Sequence, residues 1–412
     1  MKLYNELEVI NLLDISKERL NSWEKNKKLN PFENNGLRKY TEDSLLDFEV
    51  ANEIINTKWD EFIKIKPLKK YTSIELFAGA GGMALGLERA GIEHVMLNEI
   101  NKHACATLRK NRKNWKVIED DIVNIDFTEY KNKVDIVTGG FPCQAFSSAG
   151  KKLGFEDTRG TLFFEFARCI NEVKPKIFVG ENVKGLLNHD KGKTLEVIKQ
   201  SIKDIGYTLI EPTILKAMYY KVPQKRERLI LIGVRNDLAM HIDKFNFPEK
   251  YPKVLTVSDA FNKGELYNKS VPVSEGVVYP KRKKEIMDLV PEGGYWKDLP
   301  DELQREYMGG SYFLGGGKTG LARRLSMNAP SLTIVCSPAM KQTERCHPTE
   351  TRPLTIRESA RIQTFPDDWE FMGAKGEQYK QIGNAVPVNL AYSIGLSVVD
   401  FLNKIENKKI TN

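Results

Sequence analysis

The stretch that organises the chain is Val134-Asp135-Ile136-Val137-Thr138-Gly139-Gly140-Phe141-Pro142-Cys143-Gln144-Ala145-Phe146-Ser147-Ser148-Ala149-Gly150. Its first residues are apolar and β-branched, which predicts a short buried strand. Two glycines then allow a sharp turn, and Pro142 restricts the backbone directly before Cys143. Because open α/β sheets bind ligands at the carboxyl ends of their strands, this thiol is well placed for chemistry. The alternative is a small buried core residue, which is what most single cysteines are.

A glycine-rich turn between a strand and a helix lies upstream of this stretch. Residues 74–77 predict the strand, residues 78–82 the turn and residues 83–90 the helix. Such a turn brings backbone amides close to a bound cofactor, although these glycines do not have the dinucleotide-binding spacing.

Acidic residues follow at the ends of the next two predicted strands. Glu99 lies 17 residues after Gly82, close to the roughly 20 expected for an acid that binds ribose hydroxyls. Asp121 takes the same position after the third strand. A solvated strand end is the alternative for each acid. Glycines and then two acids at successive strand ends predict a pocket for an adenosyl group.

Strands and helices continue to alternate through residues 71–235. Residues 176–180 predict a strand that ends at Glu181, and residues 229–234 predict a fully apolar one. This alternation predicts an α/β fold with a doubly wound, mostly parallel sheet.

Residues 1–67 are expected to form a separate unit. Two predicted helices, residues 8–13 and 17–25, are joined by a turn in which Ser16 can cap the second helix. The order resembles the winged helix-turn-helix of MerR-like regulators. The alternative is an all-helical appendage that packs on the main domain.

Residues 236–351 interrupt the strand and helix alternation with proline, glycine and basic residues. They include the basic run Lys281-Arg282-Lys283-Lys284 and the pair Arg323-Arg324. We expect a smaller, loop-rich domain inserted in the chain, after which residues 352–412 return to the main domain.

Composition narrows the class of protein. The chain has 412 residues, 41% hydrophobic, and a net charge of +8, which permits a polyanionic partner without establishing one. Five widely spaced cysteines without a CxxC pair favour a reducing compartment and give a metal site little support. We find no signal sequence and no apolar run of membrane-spanning length, and therefore expect a soluble cytoplasmic protein without a membrane partner.

Six strings in this order resemble the cytosine-C5 DNA methyltransferase family of restriction–modification type. They are IELFAGAGG, GGFPCQAFS, ENV, QKRER, RPLTIRESARIQTFPDDW and QIGNAVP, and the resemblance covers roughly half the chain. It implies a methyltransferase fold that binds S-adenosyl-L-methionine, a double-stranded DNA partner, a flipped target base, and a target-recognition role for residues 236–351.

The resemblance also implies the catalytic roles. Cys143 would attack C6 of cytosine, Glu181 would bind N3 and N4, and Arg226 and Arg228 would orient the ring and lower the pKa of the thiol. A buried, paired carboxylate is the alternative for Glu181, and a surface ion pair with Glu227 is the alternative for the arginines.

The remaining site residues come from the same strings or lie beside them. The expected cofactor contacts are Phe77, Gly79, Gly81, Glu99, Asp121, Ile122, Pro142, Leu162, Asn384 and Val386. The expected DNA contacts are Gln144, Ser147, Lys151, Arg323, Arg324 and Thr333. Residues 146–159 are expected to form a mobile lid. The segment that begins at Arg323 is similar to recognition segments of family members that bind GG/CC-type palindromes.

Three other functions remain open at this point. A tRNA-methylating branch shares the catalytic strings, but the long insertion at residues 236–351 favours DNA. A transcription regulator with a vestigial methylase fold is a second alternative, and relatives with such extensions imply promoter repression by residues 1–67. A folate-dependent pyrimidine methylase is disfavoured by the glycine turn and the acids. We expect a monomer and leave dimerisation through residues 1–67 open.

Overall fold

The computed structural model describes residues 2–34, 36–142, 162–313, 315 and 318–411. At the amino terminus, short helices and a three-stranded sheet that includes a hairpin form one unit. Its elements are β1 (Leu3–Asn5), α1 (Glu6–Leu13), α2 (Lys17–Lys25), β2 (Phe32–Asn34), β3 (Leu37–Thr41), α3 (Glu42–Leu45), α4 (Glu49–Ile55) and α5 (Trp59–Phe62). The three strands form one antiparallel sheet in the order β1-β3-β2. The predicted cap of α2 is confirmed, since Ser16 accepts a hydrogen bond from the backbone amide of Arg19 at 3.2 Å.

An eight-stranded sheet forms the centre of the protein. Its strands are β4 (Tyr71–Leu76), β5 (Ile92–Glu99), β6 (Val117–Glu119), β7 (Ile136–Gly139), β8 (Ile177–Val183), β9 (Tyr207–Leu209), β10 (Thr213–Lys216) and, after the short β11 (Gln224–Lys225), β12 (Glu227–Arg235). The order is β10-β12-β8-β7-β4-β5-β6, and β9 pairs with the same edge of β12 as β10. The neighbouring strands β8, β7, β4, β5 and β6 are parallel, and β12 is antiparallel to β8, β9 and β10. The predicted mostly parallel sheet is therefore confirmed.

The chain reverses direction across the sheet at β4. It runs outward through β5 and β6, returns to β7 on the other side of β4, and continues to β8. Ligands of doubly wound sheets bind at such a switch point, beyond the carboxyl ends of the strands. Four predicted motifs follow the carboxyl ends of β4, β5, β7 and β8, so the topology brings them to one edge.

Helices cover both faces of the sheet. They are α6 (Gly82–Arg89), α7 (Lys102–Asn111), α8 (Leu162–Val173) and α9 (Lys193–Asp204), followed after the inserted segment by α13 (Ile356–Ile362), α14 (Lys375–Asn384) and α15 (Val388–Thr411). α6 and α15 touch through glycines, because a Cβ on Gly86 would lie 2.4 Å from the Cβ of Ala391 and one on Gly82 only 2.2 Å from the carbonyl oxygen of Val386. This close packing places the QIGNAVP string beside the glycine-rich turn.

The expectation that the chain has no apolar run of membrane-spanning length needs correction. The helical segment Lys375–Asn407 is long and apolar enough by length and composition, but 83% of its most apolar window is buried inside the protein. Ile394, Val398 and Leu402 of α15, for example, are all at most 1% exposed and belong to the main apolar core. The segment is apolar because protein surrounds it.

The inserted segment is poor in regular structure. Between residues 236 and 351 the described part contains α10 (Val257–Phe261), α11 (Lys281–Met287), α12 (Asp301–Met308) and β13 (Ser331–Leu332). A separate apolar cluster around Met287, Trp296 and Met308 stabilises its middle. β13 pairs with β11 in parallel, which attaches the segment directly to the QKRER string.

Candidate active site at the carboxyl edge of the sheet

A cleft of about 740 Å³ opens where β4, β5, β7 and β8 end. Nine of the predicted site residues line it. They are Phe77, Gly79, Glu99, Pro142, Glu181, Arg226, Arg228, Asn384 and Val386. Residues from five separate strings thus meet in one cavity, as expected for the edge of a parallel sheet.

Strand register brings Glu181 and Arg228 together. Glu181 of β8 is opposite Ile230 of β12, and Arg228 is opposite Val183. Residues two apart on a strand point to the same face, so the two side chains are diagonal neighbours on one face of the sheet. Nε of Arg228 forms an ion pair with Oε1 of Glu181, and both side chains are 12% exposed. The pairing holds the carboxylate in one orientation at the wall of the cleft.

The loop that precedes Cys143 is fixed against the same strand. The buried side-chain amide of Asn182 donates a 2.8 Å hydrogen bond to the carbonyl oxygen of Phe141. A Cβ on Gly140 would lie 3.1 Å from Oε2 of Glu181, which leaves space there for glycine but little more. The ENV string therefore supplies both the carboxylate and the anchor of the loop that leads to Cys143.

Arg226 is buried and has no ion pair within the described ranges. Its side chain is 1% exposed, and it donates to the carbonyl oxygens of Ile334 at 3.3 Å and Gly383 at 3.0 Å. Its Nε, also buried, meets no acceptor among the described atoms. Burial, with repulsion from Arg228, lowers the pKa of Arg226 to about 9. An uncompensated cation with an unused donor therefore lies in the wall of the cleft.

The glycine turn and Glu99 form the opposite half of the cleft. Oε2 of Glu99 accepts the backbone amide of Gly79 at 2.8 Å, and Oε1 accepts that of Asn101 at 2.8 Å. A Cβ on Gly79 would meet no described atom within 4 Å, so its backbone faces open space. Glu99 fixes the end of β5 to the turn after β4 and still borders the cavity.

Glu75 is a second acid in this half that sequence analysis did not single out. It borders the cleft, is 2% exposed, and its Oε2 has no hydrogen-bond partner in the part of the chain that the structure describes. Burial raises the pKa of Glu75 to about 8, although the backbone of Ala84 and the hydroxyl of Thr138 oppose this shift. A cationic ligand in the cleft would favour its ionised form.

Four expected cofactor residues do not line the cleft. Gly81 (φ 82°) faces the core, where a Cβ would lie 2.7 Å from Leu108. Asp121 accepts the backbone amide of Val123 and begins a short turn in which Ile122 is buried in the core beside β4. Leu162, the first residue of α8, is 36% exposed.

Several expected site residues lie outside the described residues. They are Cys143, Gln144, Ser147 and Lys151, together with the expected lid at residues 146–159. Their roles stay predictions.

The structure separates the two adjacent arginines of the inserted segment. Arg324 is 5% exposed and donates to three backbone carbonyl oxygens, of Val290, Met287 and His347, and to the hydroxyl of Thr351. Arg323 is half-buried over the ring of Tyr295, 5.5 Å from its centroid, and its guanidinium makes neither a hydrogen bond nor an ion pair with the residues that the structure describes. Burial lowers the pKa of Arg323.

Thr333 lies at the junction of the inserted segment with the wall of the cleft that contains Arg226. Its hydroxyl donates to the carbonyl oxygen of Lys225 at 3.0 Å, and its own carbonyl accepts from Arg345. Gln224 of the QKRER string accepts the backbone amide of Ile334 at 2.8 Å. These contacts hold the expected DNA-binding threonine beside Arg226.

Sequence analysis did not single out three further residues in or near the wall of the cleft, two of which belong to the quoted strings. Asn182 and Gln224 belong to ENV and QKRER, and both hold the wall together by hydrogen bonds. Ile100 directly follows Glu99, borders the cleft and is 66% exposed, which is unusual for a large apolar side chain. Their roles depend on contacts with distant segments.

Comparisons with known proteins agree with this site. The family described as C-5 cytosine-specific DNA methylase matches residues 71–400. Type II methyltransferase M.Eco47II of Escherichia coli is 60% identical over 403 residues, 97% of this chain and 96% of that protein. M.PspPI of a Psychrobacter species is 59% identical, covering 96% and 95%, and M.Sau96I of Staphylococcus aureus is 50% identical, covering 84% and 80%.

Solved structures show the same fold. A DNA modification methyltransferase encoded within a prophage in Escherichia coli superimposes with a TM-score of 0.57 at 24% identity, over 81% of this chain and 100% of that one. The Entamoeba histolytica methyltransferase EhMeth also gives 0.57, at 17% identity over 81% and 99%. The chain belongs to the C-5 cytosine-specific DNA methylase family and is a DNA cytosine-5-methyltransferase of restriction–modification type.

Proposed function

We propose that the protein methylates C5 of a cytosine flipped out of duplex DNA, through a covalent bond between Cys143 and C6 of the base and with S-adenosyl-L-methionine as methyl donor. In the cytoplasm this reaction would protect host DNA within a restriction–modification system. The proposal rests on one observation. Glu181, Arg226 and Arg228 line the same cleft as the loop that leads to Cys143.

The types of these residues suit the reaction. C5 of cytosine is a weak nucleophile within an aromatic ring, and bonding of a thiolate to C6 makes C5 enamine-like. After C5 has gained the methyl group, a base removes the C5 proton and the bond between sulfur and C6 breaks. Cysteine suits the first step because it is intrinsically nucleophilic and its pKa falls beside positive charge. Arg226 supplies uncompensated positive charge in that wall.

Glu181 is suited to binding the polar edge of the base. Its ion pair with Arg228 orients the carboxylate and leaves its second oxygen facing the loop at Gly140. A carboxylate there accepts a hydrogen bond from the N4 amino group and stabilises a proton on N3 as the ring takes up electrons. Arg226 has an unused Nε donor, which fits an acceptor such as the cytosine O2.

The other half of the cleft fits the proposed cofactor. S-adenosyl-L-methionine supplies a methyl group on a positively charged sulfur. The unpartnered Oε2 of the buried Glu75 favours a cationic ligand, and the open space beside Gly79 allows close approach to the backbone. Glu99, Phe77, Asn384 and Val386 border the same space. These residues would hold the cofactor.

DNA contacts are assigned to the segments on either side of the cleft. Of the two adjacent arginines, we assign base contact to Arg323, because the donors of Arg324 are used inside the protein. A guanidinium bound to guanine O6 and N7 is the commonest specific contact in the major groove. Thr333 borders a cavity that shares Arg228 with the cleft, and Gln144, Ser147 and Lys151 follow Cys143 in sequence.

Covalent trapping tests the proposed chemistry. A duplex with 5-fluorocytosine at the target should bind the wild type irreversibly, because fluorine cannot leave C5 as a proton does. Bisulfite sequencing of DNA from cells that express the protein would first identify the target. Cys143→Ser should abolish both methylation and trapping while S-adenosyl-L-methionine still binds.

Cys336 offers a matched control for this experiment. Its thiol is exposed and lies 3.1 Å from Oδ1 of Asn384 at the cleft. Cys336→Ser should leave trapping unchanged. A covalent adduct that maps to Cys336, or that survives Cys143→Ser, would overturn the assignment of the nucleophile.

A further inference from the structure

The amino-terminal unit is fixed to both other parts of the protein. Asp14, in the turn between α1 and α2, binds Lys216 at 2.8 Å and Lys225 at 2.9 Å. The hydroxyl of Tyr219 donates to the backbone carbonyl oxygen of Leu12. The side-chain amide of Asn11 donates to the backbone carbonyl oxygen of Asn328 in the inserted segment. These contacts oppose independent motion of the unit.

Its apolar core is continuous with that of the catalytic part. Val9, Leu12 and Leu20 are at most 4% exposed and belong to the same cluster as Met218 and Ile232. A match of 403 out of 412 residues also requires that M.Eco47II shares nearly all of this unit. The unit is therefore packed into the body of this enzyme, and M.Eco47II shares it.

The joint after the unit is also held in place. The side chain of Asn403 in α15 accepts the backbone amide of Leu68 and donates to the carbonyl oxygen of Lys66. Lys69 forms an ion pair with Glu406 of the same helix. A linker held in this way does not allow the unit to swing toward a distant duplex.

The docked turn lies at the margin of the catalytic cleft. Asp14 lines a cavity of about 420 Å³ with Lys184, Arg228 and Thr333, and Arg228 and Val183 border both this cavity and the cleft. α2 begins at Lys17, three residues after Asp14, and three residues span at most about 11 Å. A duplex is wider than this distance, since its major groove alone is about 12 Å wide. α2 therefore begins within the width of a duplex from Asp14, at the margin of the cleft.

Charge within the unit is strongly divided. Residues 16–40, which include α2 and the hairpin, contain seven Lys or Arg against three Asp or Glu. Residues 41–62 contain seven acids and a single lysine. This half packs against the inserted segment, where Glu53 binds Lys250 and Trp59 contacts Tyr251. The basic half is exposed at Arg19, Lys25 and Lys27.

We propose that the basic half of the amino-terminal unit binds the phosphates of the same duplex that is being methylated, on one flank of the target cytosine. The inference rests on the proposed methylation of DNA. Phosphate contacts position a protein on a duplex without adding base specificity. The unit thus strengthens binding on one side of the site, and it does not act as an independent promoter-binding domain.

Duplexes extended on one side at a time test this arrangement. The wild type should gain affinity when the duplex is lengthened on one flank of the target and gain little on the other flank. Arg19→Ala combined with Lys25→Ala should abolish that one-sided gain, a loss of about tenfold, with kcat unchanged. Because each lost phosphate contact lowers the salt dependence by about 0.9, the slope of log K against log salt should fall by about two.

Lys131→Ala combined with Lys133→Ala is the matched control. Both lysines are exposed before β7, at the opposite edge of the sheet from the cleft. The control should retain the one-sided gain and the full salt slope, and the melting temperature of each variant checks its folding.

Each outcome decides a distinct point. If the double variant at Arg19 and Lys25 binds every methylated duplex as tightly as the wild type, the flanking contact is absent and the inference fails. Loss of binding confined to a promoter fragment without the target would favour the independent regulator and also overturn it. If the wild type methylates none of the duplexes, the proposed function itself fails.

Discussion

Two pairs of arginines, one in the wall of the cleft and one in the inserted segment, have different surroundings. Arg226 and Arg228 are two residues apart at the start of a strand, and both border the cleft. Arg323 and Arg324 are adjacent, and they lie in different environments: one stacks on Tyr295, and the other is buried on backbone carbonyls. Side chains two apart on an extended chain share a face, whereas neighbours point to opposite faces.

The difference shows that the location of each arginine side chain depends on the backbone structure around it. Arg228 lies in β12 and Arg226 directly precedes that strand, and both side chains border one cleft. In the inserted segment, where Arg324 makes a single bridge with Cys346, no regular element extends the pattern. Arg324 is therefore buried and bound to backbone carbonyls, whereas Arg323 is half-buried and its guanidinium makes no hydrogen bond with the described residues. The following predictions test this contrast, from the largest expected effect to the smallest.

Glu181→Gln should have the largest effect, because it removes the acceptor proposed for the cytosine edge and the partner of Arg228. We expect kcat to fall by about 10²–10⁴-fold, the usual range for a group that assists proton movement. Methyl transfer to a target duplex measures the change. Glu227→Gln is the control, since Glu227 pairs with Lys184 beside the cleft and should lose little activity. Comparable losses in the two variants would contradict a specific role for Glu181.

Arg324→Ala should mainly destabilise the protein. It removes a buried guanidinium and leaves carbonyl oxygens of Val290, Met287 and His347 without their donor. Because hydrogen bonds to charged groups contribute about 1.5–3 kcal/mol each and are not additive, we expect a loss of about 3 kcal/mol or more. Urea denaturation measures it. Arg324→Lys should recover little, since lysine lacks the planar fork. Unchanged stability of Arg324→Ala would contradict the structural role assigned to Arg324.

Arg323→Ala should instead change sequence specificity. Loss of a guanidinium that reads guanine should reduce discrimination by about 1–3 kcal/mol at one base pair. Bisulfite sequencing of a library in which each position of the target is varied would detect it. Stability should change by less than in Arg324→Ala. If the variant discriminates every base pair as the wild type does, Arg323 does not read the target.

Asp14→Asn should have the smallest effect, and it should depend on pH. Burial raises the pKa of Asp14, but Lys216 and Lys225 outweigh burial, so the pKa lies below its usual value of 3.8. The ionised carboxylate therefore stabilises the folded state above pH 4, by about 1 kcal/mol for a partly exposed pair. This contribution is lost as the pH falls through the lowered pKa. Wild type and variant should thus differ in stability at pH 7, and the difference should shrink as the pH falls below the usual pKa of 3.8. A difference that stays constant over this range would contradict the ion-pair account.

Much of the fold could be predicted because it follows from local pattern. The helix expected at residues 83–90 is α6 (Gly82–Arg89), and the strand that ends at Glu181 is part of β8 (Ile177–Val183). Apolar runs, turns and caps depend on neighbouring residues, which the sequence contains directly. Part of the candidate site followed from the same pattern, since parallel strands bring Gly79, Glu99 and Glu181 to one edge. Arg226, Arg228, Asn384 and Val386 were instead expected from the family resemblance.

Other features were not predictable from pattern. Gly81 was expected at the cofactor, yet it faces Leu108 in the core, and Ile122 is likewise buried. Glu75 looked like an ordinary strand residue, but burial without a full set of partners shifts its pKa. In each case the environment comes from residues that are distant along the chain.

The sequence by itself determined the order of strands and helices, the strings of the family and the edge of the sheet at which the candidate site lies. Tertiary structure alone decided that Arg324 is internal while Arg323 is not, and that Asp14 fixes the amino-terminal unit to Lys216 and Lys225. The physical reason is the range of the interactions. Periodicity sets the face on which a side chain lies, whereas its burial, charge and partners depend on segments that only folding brings together.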